Sequence, residues 1–149
     1  MKILFIILLS LILIVLAYFV YLGFKSHSGS ANGLVNKKLT PCPNKPNCVC
    51  SEFPNKKLPN INGIKYTKLN LKKIEKAITM TGGKITTIKE NYIAATYTSS
   101  LFRYVDDFEI RIDAEAKLIH LRSASRVGHS DMGVNQKRIE AFKKALAKL

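Results

Sequence analysis

The sequence predicts an α+β protein: a single N-terminal transmembrane helix, then a two-layer domain in which a four-stranded antiparallel meander is flanked in sequence by two helices. Three observations carry this reading. Ile3 to Phe24 is an unbroken apolar run without a charge, apolar residues recur at helical spacing near residue 75 and again near the C-terminus, and between them four segments alternate with short links.

The apolar run has 22 residues and lies between Lys2 and Lys25. At about 1.5 Å per residue it covers the roughly 30 Å hydrocarbon core of a bilayer. It is apolar on every side, and the rest of the chain is too small to wrap it as a core helix. Tyr18 and Tyr21, near the Lys25 end, suit the membrane interface. The rival reading is a cleavable signal peptide, with Lys2 as its basic region and the polar stretch Ser26 to Gly33 holding a cleavage site. The run exceeds the about 7–15 apolar residues usual there, so a retained anchor is expected. Flanking lysines nearly balance, which leaves the positive-inside count close to a tie. A minimal tail ahead of a long domain resembles a signal anchor. The expectation is therefore one pass through the inner (cytoplasmic) membrane, with the domain on the outer or periplasmic side.

Residues 1–25 form this anchor, 26–62 read as a Pro-rich stalk and Cys loop containing all five prolines, and 63–149 read as the globular domain. Asn70 is a plausible cap for a first helix whose stripe is Leu71, Ile74, Ala77 and Ile78, stopped by Gly82 and Gly83. Strands follow at Lys84 to Glu90, Tyr92 to Ser99, Phe102 to Asp113 and Lys117 to Val127. A last helix starts at about Asn135 with Ile139, Phe142, Leu146 and Leu149 inward.

Lys and Arg total 24 against 10 acidic residues, leaving +13 on everything beyond Lys2. Such a balance attracts phosphates, and a membrane tether favours anionic lipid or an envelope polymer as partner. The lysines are spread from Lys37 to Lys148, so a merely solvated basic surface is the competing explanation. No nucleic-acid partner is expected, because charge alone points there and no motif supports it. There is no Gly-rich phosphate loop and no dinucleotide fingerprint, and no cofactor is expected.

Alternation in the third and fourth strands puts Phe102, Tyr104, Asp106, Phe108, Ile110 and Ile112 on the core face with Ile119, Leu121, Ser123 and Ser125. A tight turn at Ala114 and Glu115 sets Phe108 opposite Leu121, Asp106 opposite Ser123 and Tyr104 opposite Ser125. On the outer face it sets Asp107 against Arg122 and Glu109 against His120. An inward carboxylate must be hydrogen-bonded or face a polar recess. Asp106 is thus either a structural acceptor or the candidate catalytic acid or base. The loop from Arg126 to Asn135 offers Ser130 or Asp131 as a helix cap, and this helix start beside Arg126 and Arg103 could hold a small anion. His129, Ser130 and Asp131 are adjacent in sequence and so do not form a triad.

Cys42, Cys48 and Cys50 crowd the Pro-rich loop. For an exported domain a disulfide is the expected use, with Cys42 and Cys48 as the pair and Cys50 left over. Three thiolates without a fourth ligand fall short of a zinc site, and no metal is expected.

Residues 41–149 resemble the uncharacterised bacterial and plastid family called domain of unknown function 1499. The blocks that carry the likeness are Cys42-Pro43 to Pro46-Asn47-Cys48-Val49, Thr98 to Asp107, and Arg122 to Asn135. By that resemblance Arg103, Asp106, Asp107, Arg122, Ser123, Ser125, Arg126, Ser130, Asp131 and Asn135 match the family's motif positions. Cys50 departs from the serine expected in relatives. The functional expectation is a membrane-anchored, envelope-facing, non-enzymatic module that binds an anionic group through Arg103, Arg122 and Arg126. The alternative is a hydrolase-like enzyme using Asp106 beside the arginines.

Overall fold

The computed structural model describes residues 1–53 and 61–149, so Pro54 and Pro59 of the expected stalk lie outside the described residues. The chain begins with helix α1 (Lys2–His27), then strands β1 (Leu34–Val35), β2 (Lys38–Leu39), β3 (Cys48–Cys50) and β4 (Ile64–Lys65). Helix α2 (Leu71–Met80), strands β5 (Lys84–Lys89), β6 (Tyr92–Thr98), β7 (Val105–Asp113) and β8 (Leu118–Ser125), and helix α3 (Val134–Ala147) complete it. The Asn70 side chain accepts from the Lys73 amide at 3.1 Å and starts α2 as its spacing predicts.

The sheet has six strands, in the order β3-β8-β7-β6-β5, with β4 also paired to β8. The expected four-stranded meander β5 to β8 is present with β5 at one edge of the sheet, and the expectation falls short beyond β8. There β3 pairs with Arg122 to Ala124 and β4 with Leu118 and Ile119, both antiparallel and on the same side of β8. These strands have three and two residues, too few to show a period in a Pro- and Asn-rich stretch.

The β7–β8 register also differs from the expectation. Asp106 faces Ser125, Phe108 faces Ser123, Glu109 faces Arg122 and Arg111 faces His120. The cause is the connection. It holds four residues, Ala114 to Lys117, closed by the Asp113 side chain accepting from the Ala116 amide at 2.9 Å, with Lys117 in the left-handed region (φ +49°). Two extra loop residues displace the pairing by two positions, which preserves the faces and changes the partners.

Helices α2 and α3 pack on one face through Ile74, Ala77, Ile78, Ile139 and Phe142 against Ile93, Phe108, Ile110 and Leu121. The other face is covered as well, contrary to a two-layer arrangement. The expected stalk folds back across it, and Leu39 and Cys50 pack on Tyr92 and Ala94, with Leu34 and Phe53 beside them. β1 and β2 form a small hairpin in this cover, turned by Asn36 and Lys37 at positive φ. The side chains of Asp107, Glu109, Arg111 and Arg122 are consequently buried.

Candidate functional site

The sheet separates the residues of the family blocks into two groups. Under the helices, Asp106 accepts from the Arg138 guanidinium at 2.7 Å. Arg138 comes from the second turn of α3, rests 4.7 Å above the Tyr97 ring, and donates as well to Ser123 Oγ at 2.9 Å and to Asn135 Oδ1. Ser123 donates to that same oxygen at 2.6 Å, while Asn135 Nδ2 donates to Ser125 Oγ at 2.9 Å and to the Asn47 backbone carbonyl at 3.0 Å. Asn47 Nδ2 in turn donates to the Gly128 carbonyl at 3.0 Å. This network ties the start of α3, the ends of β7 and β8, and the cysteine loop into one unit.

The N-cap of α3 is Gly133, and Asp131 just ahead of it accepts through its carboxylate from the backbone amides of Gly133 at 3.0 Å and Asn135 at 2.7 Å. The helix start considered for an anion is therefore taken by the chain's own carboxylate. Ser130 is exposed, and its hydroxyl accepts from the Met132 amide at 3.4 Å.

On the opposite face, Glu109 is fully buried and accepts from Tyr92 Oη at 2.8 Å, the Gly33 amide at 2.9 Å and Arg122 Nη1 at 2.6 Å. Burial and the neighbouring Glu109 carboxylate push the Tyr92 phenol far up, so it remains a donor. Asp107 and Arg126 form a two-pronged pair at 2.9 and 2.7 Å. Arg126 also donates to the Ser26 carbonyl at 3.0 Å, near the C-terminal end of α1, where a cation is favourable.

Between these side chains and the disulfide loop lies a cavity of about 480 Å³, whose walls include Asp107, Arg122, Ser125, Arg126, Asn47 and the Cys42–Cys48 bridge. Arg122 is 4 % exposed, and its Nε is buried with no hydrogen-bond partner among the described residues. An unmatched guanidinium N–H is costly unless an acceptor arrives.

The structure thus brings Asp107, Arg122, Ser125 and Arg126 to one cavity, and joins Asp106, Ser123, Ser125 and Asn135 in one buried network. It does not bring Asp106 to Arg122 or Arg126, because β7 and β8 place them on opposite faces. Arg103 is exposed, its carbonyl 2.9 Å from His27 Nε2 at the end of α1. Sequence reasoning missed Arg138 and Asn47. Arg138 precedes Ile139 on the α3 stripe, a position the helical period leaves at the edge of the buried face. Cys50 is a free, buried thiol, pushed up chiefly by burial, which makes it a poor nucleophile. Among the described residues no three His, Cys, Asp or Glu side chains are grouped to hold a metal ion.

A larger cavity, about 910 Å³, lies at the other end of β8. Lys65, Lys68, Lys73, Lys117 and Lys143 line it over an apolar floor of Ile64, Ile74, Ile119 and Leu146, and none of its residues belongs to the family blocks. Four exposed lysines over an apolar surface, with the half-buried Lys143 donating to the Asn62 carbonyl, account for it without a ligand. The smaller cavity is the better candidate, because residues of all three family blocks line it, among them Arg122, whose Nε is buried without a partner among the described residues.

No curated protein and no solved structure matches the chain. The family model described as a protein of unknown function (DUF1499) matches residues 38–146, and it is to this family that the chain belongs.

Proposed function

We propose that the protein is a membrane-anchored binding module whose cavity beside the disulfide takes a small anionic group, without catalysing a reaction on it. One observation carries the reading: Arg122, almost fully buried in the cavity wall, has an Nε–H that no atom of the described residues accepts. An oxyanion at that donor would satisfy it, and the surplus of cations over the whole domain would draw anions toward it. Retention of α1 is supported by its use inside the fold. Ser26 Oγ accepts from the Val105 amide at 2.9 Å, so cleavage after this helix would strip β7 of its first partner. Catalysis by Asp106 has weaker support, since its carboxylate is engaged by Arg138 and lines none of the cavities described here.

The test is calorimetric titration of the full chain, held in phosphatidylcholine nanodiscs, with inorganic diphosphate at two salt concentrations. Saturable, salt-sensitive binding is expected. Arg126→Lys, which loses the two-pronged geometry, should weaken it about tenfold. Asp107→Asn, which releases Arg126 from its internal partner, should tighten it, an outcome that unfolding cannot imitate. Absence of saturable binding, or one affinity for all three proteins, would overturn the proposal.

A further inference from the structure

Loop 99–104 does not stop at the end of α1 but runs back along it. Val105 is bonded to Ser26, the Phe102 carbonyl lies against Gly23, where an added Cβ would come within 2.2 Å of it, and the Phe102 ring is 5.4 Å from that of Phe19. Phe19 precedes Lys25 by six residues, so at ~1.5 Å per residue Phe102 reaches about 9 Å deeper along the helix than the first charge. The loop is fitted for such a position. The Ser99 amide donates to the Tyr104 carbonyl at 2.8 Å and the Tyr104 amide to Ser99 Oγ at 2.9 Å, which closes its base. Its tip, Leu101, is 79 % exposed.

A cavity of about 500 Å³ opens between loop and helix. Val20, Phe24, Leu101 and Phe102 make its walls apolar, while His27 and Arg103 stand at the polar end. His27 Nε2 is spent on the Arg103 carbonyl, and among the described residues no carboxylate forms an ion pair with Arg103. An apolar trough beginning at acyl-chain depth and ending in an unpaired guanidinium has the polarity profile of one molecule, a phospholipid with an anionic headgroup.

We propose that this groove binds an anionic phospholipid, its acyl chain against Phe24 and Phe102 and its phosphate on Arg103, making loop 99–104 a second membrane contact beside α1. The assignment rests on the anchoring part of the reading above and is independent of the disulfide cavity. Any such lipid would fix the rotation of the domain about the helix as well as its depth.

The chain contains no tryptophan, so Leu101→Trp, at an exposed position, supplies a unique fluorophore. The full chain carrying it is placed in nanodiscs that contain either brominated phosphatidylglycerol in phosphatidylcholine or brominated phosphatidylcholine in phosphatidylglycerol, at equal mole fraction. Quenching about fivefold stronger by the brominated anionic lipid is expected. That preference should vanish in Leu101→Trp/Arg103→Asn, because asparagine tolerates the positive φ of +57° while removing the cation. Equal quenching by both headgroups, or water-like emission with no quenching, would overturn the lipid site. A chain that fails to co-purify with nanodiscs at all would instead remove the anchoring on which it rests.

Discussion

Arg138 and Asp106 meet at 2.7 Å between α3 and β7, each almost wholly withdrawn from water. The partnership is unequal. Arg138 also donates to Ser123 and Asn135 and lies on Tyr97, whereas Arg138 supplies the only side-chain bond recorded for the Asp106 carboxylate among the described residues. Arg138→Met should therefore cost about 3–5 kcal/mol by stranding a buried carboxylate, and Asp106→Asn distinctly less. Denaturant unfolding of the two variants in detergent would check the order. Equal losses would mean the guanidinium's other contacts contribute little.

His120, on the stalk-covered face, is 3.5 Å from Ser51 Oγ and feels Glu52, Arg111, Asp113 and Lys38. Burial holds it below the usual histidine range, ahead of the opposing pull of Glu52. The folded protein then binds fewer protons than the unfolded chain between the lowered value and the ordinary value of about 6.5. Stability from this group is present above that ordinary value and falls as the pH drops below it. The melting temperature should decline on acidification from neutrality, and the decline should be shallower in His120→Gln. An identical slope in both proteins would remove His120 as the cause.

The Cys42–Cys48 bridge spans a sequence separation of six, and loop entropy alone assigns it about 2 kcal/mol. Reduction should lower the unfolding midpoint accordingly, in Cys50→Ala as in the wild type. Iodoacetamide should modify Cys50 only after unfolding, because the thiol is buried and its proton is held more tightly than usual. Rapid native-state labelling, followed by mass spectrometry, would contradict that burial.

Gly23 presses on the Phe102 carbonyl so closely that no side chain fits. Gly23→Val leaves the helix apolar but should pry the loop away. Amide exchange at Val105 and across 99–104 is expected to rise about tenfold while β5 and α2 keep their protection. Unchanged exchange at Val105 would show that the contact is not needed to hold Ser26 in place.

The elements with enough residues to display a period were legible in advance. The four meander strands and both packed helices follow from apolar spacing, and the parity of β7 and β8 put Phe108 and Leu121 in the core as observed, but β7 starts at Val105 and leaves Phe102 and Tyr104, expected in the core, on the loop beside α1. Short or aperiodic pieces were not. β3 and β4 are held by β8 rather than by any pattern of their own, and the four-residue β7–β8 connection depends on an Asp113 side-chain bond that the local sequence does not distinguish from a two-residue turn. The site was half readable for the same reason. Parity separates Asp106 from Arg122, but their covers, α3 with Arg138 on one side and the folded-back stalk on the other, are tertiary facts. Burial of Glu109 follows only once the segment around Leu39 is known to lie over it.

Because Ser26 belongs at once to the last turn of α1 and to the hydrogen bonding of β7, the domain has no slack leash on which to swing. β7 has nine residues, so the sheet extends about 30 Å from that junction at ~3.3 Å per residue. Were α1 to span a bilayer, a ligand of the domain would meet it within that short radius of the helix end rather than farther out.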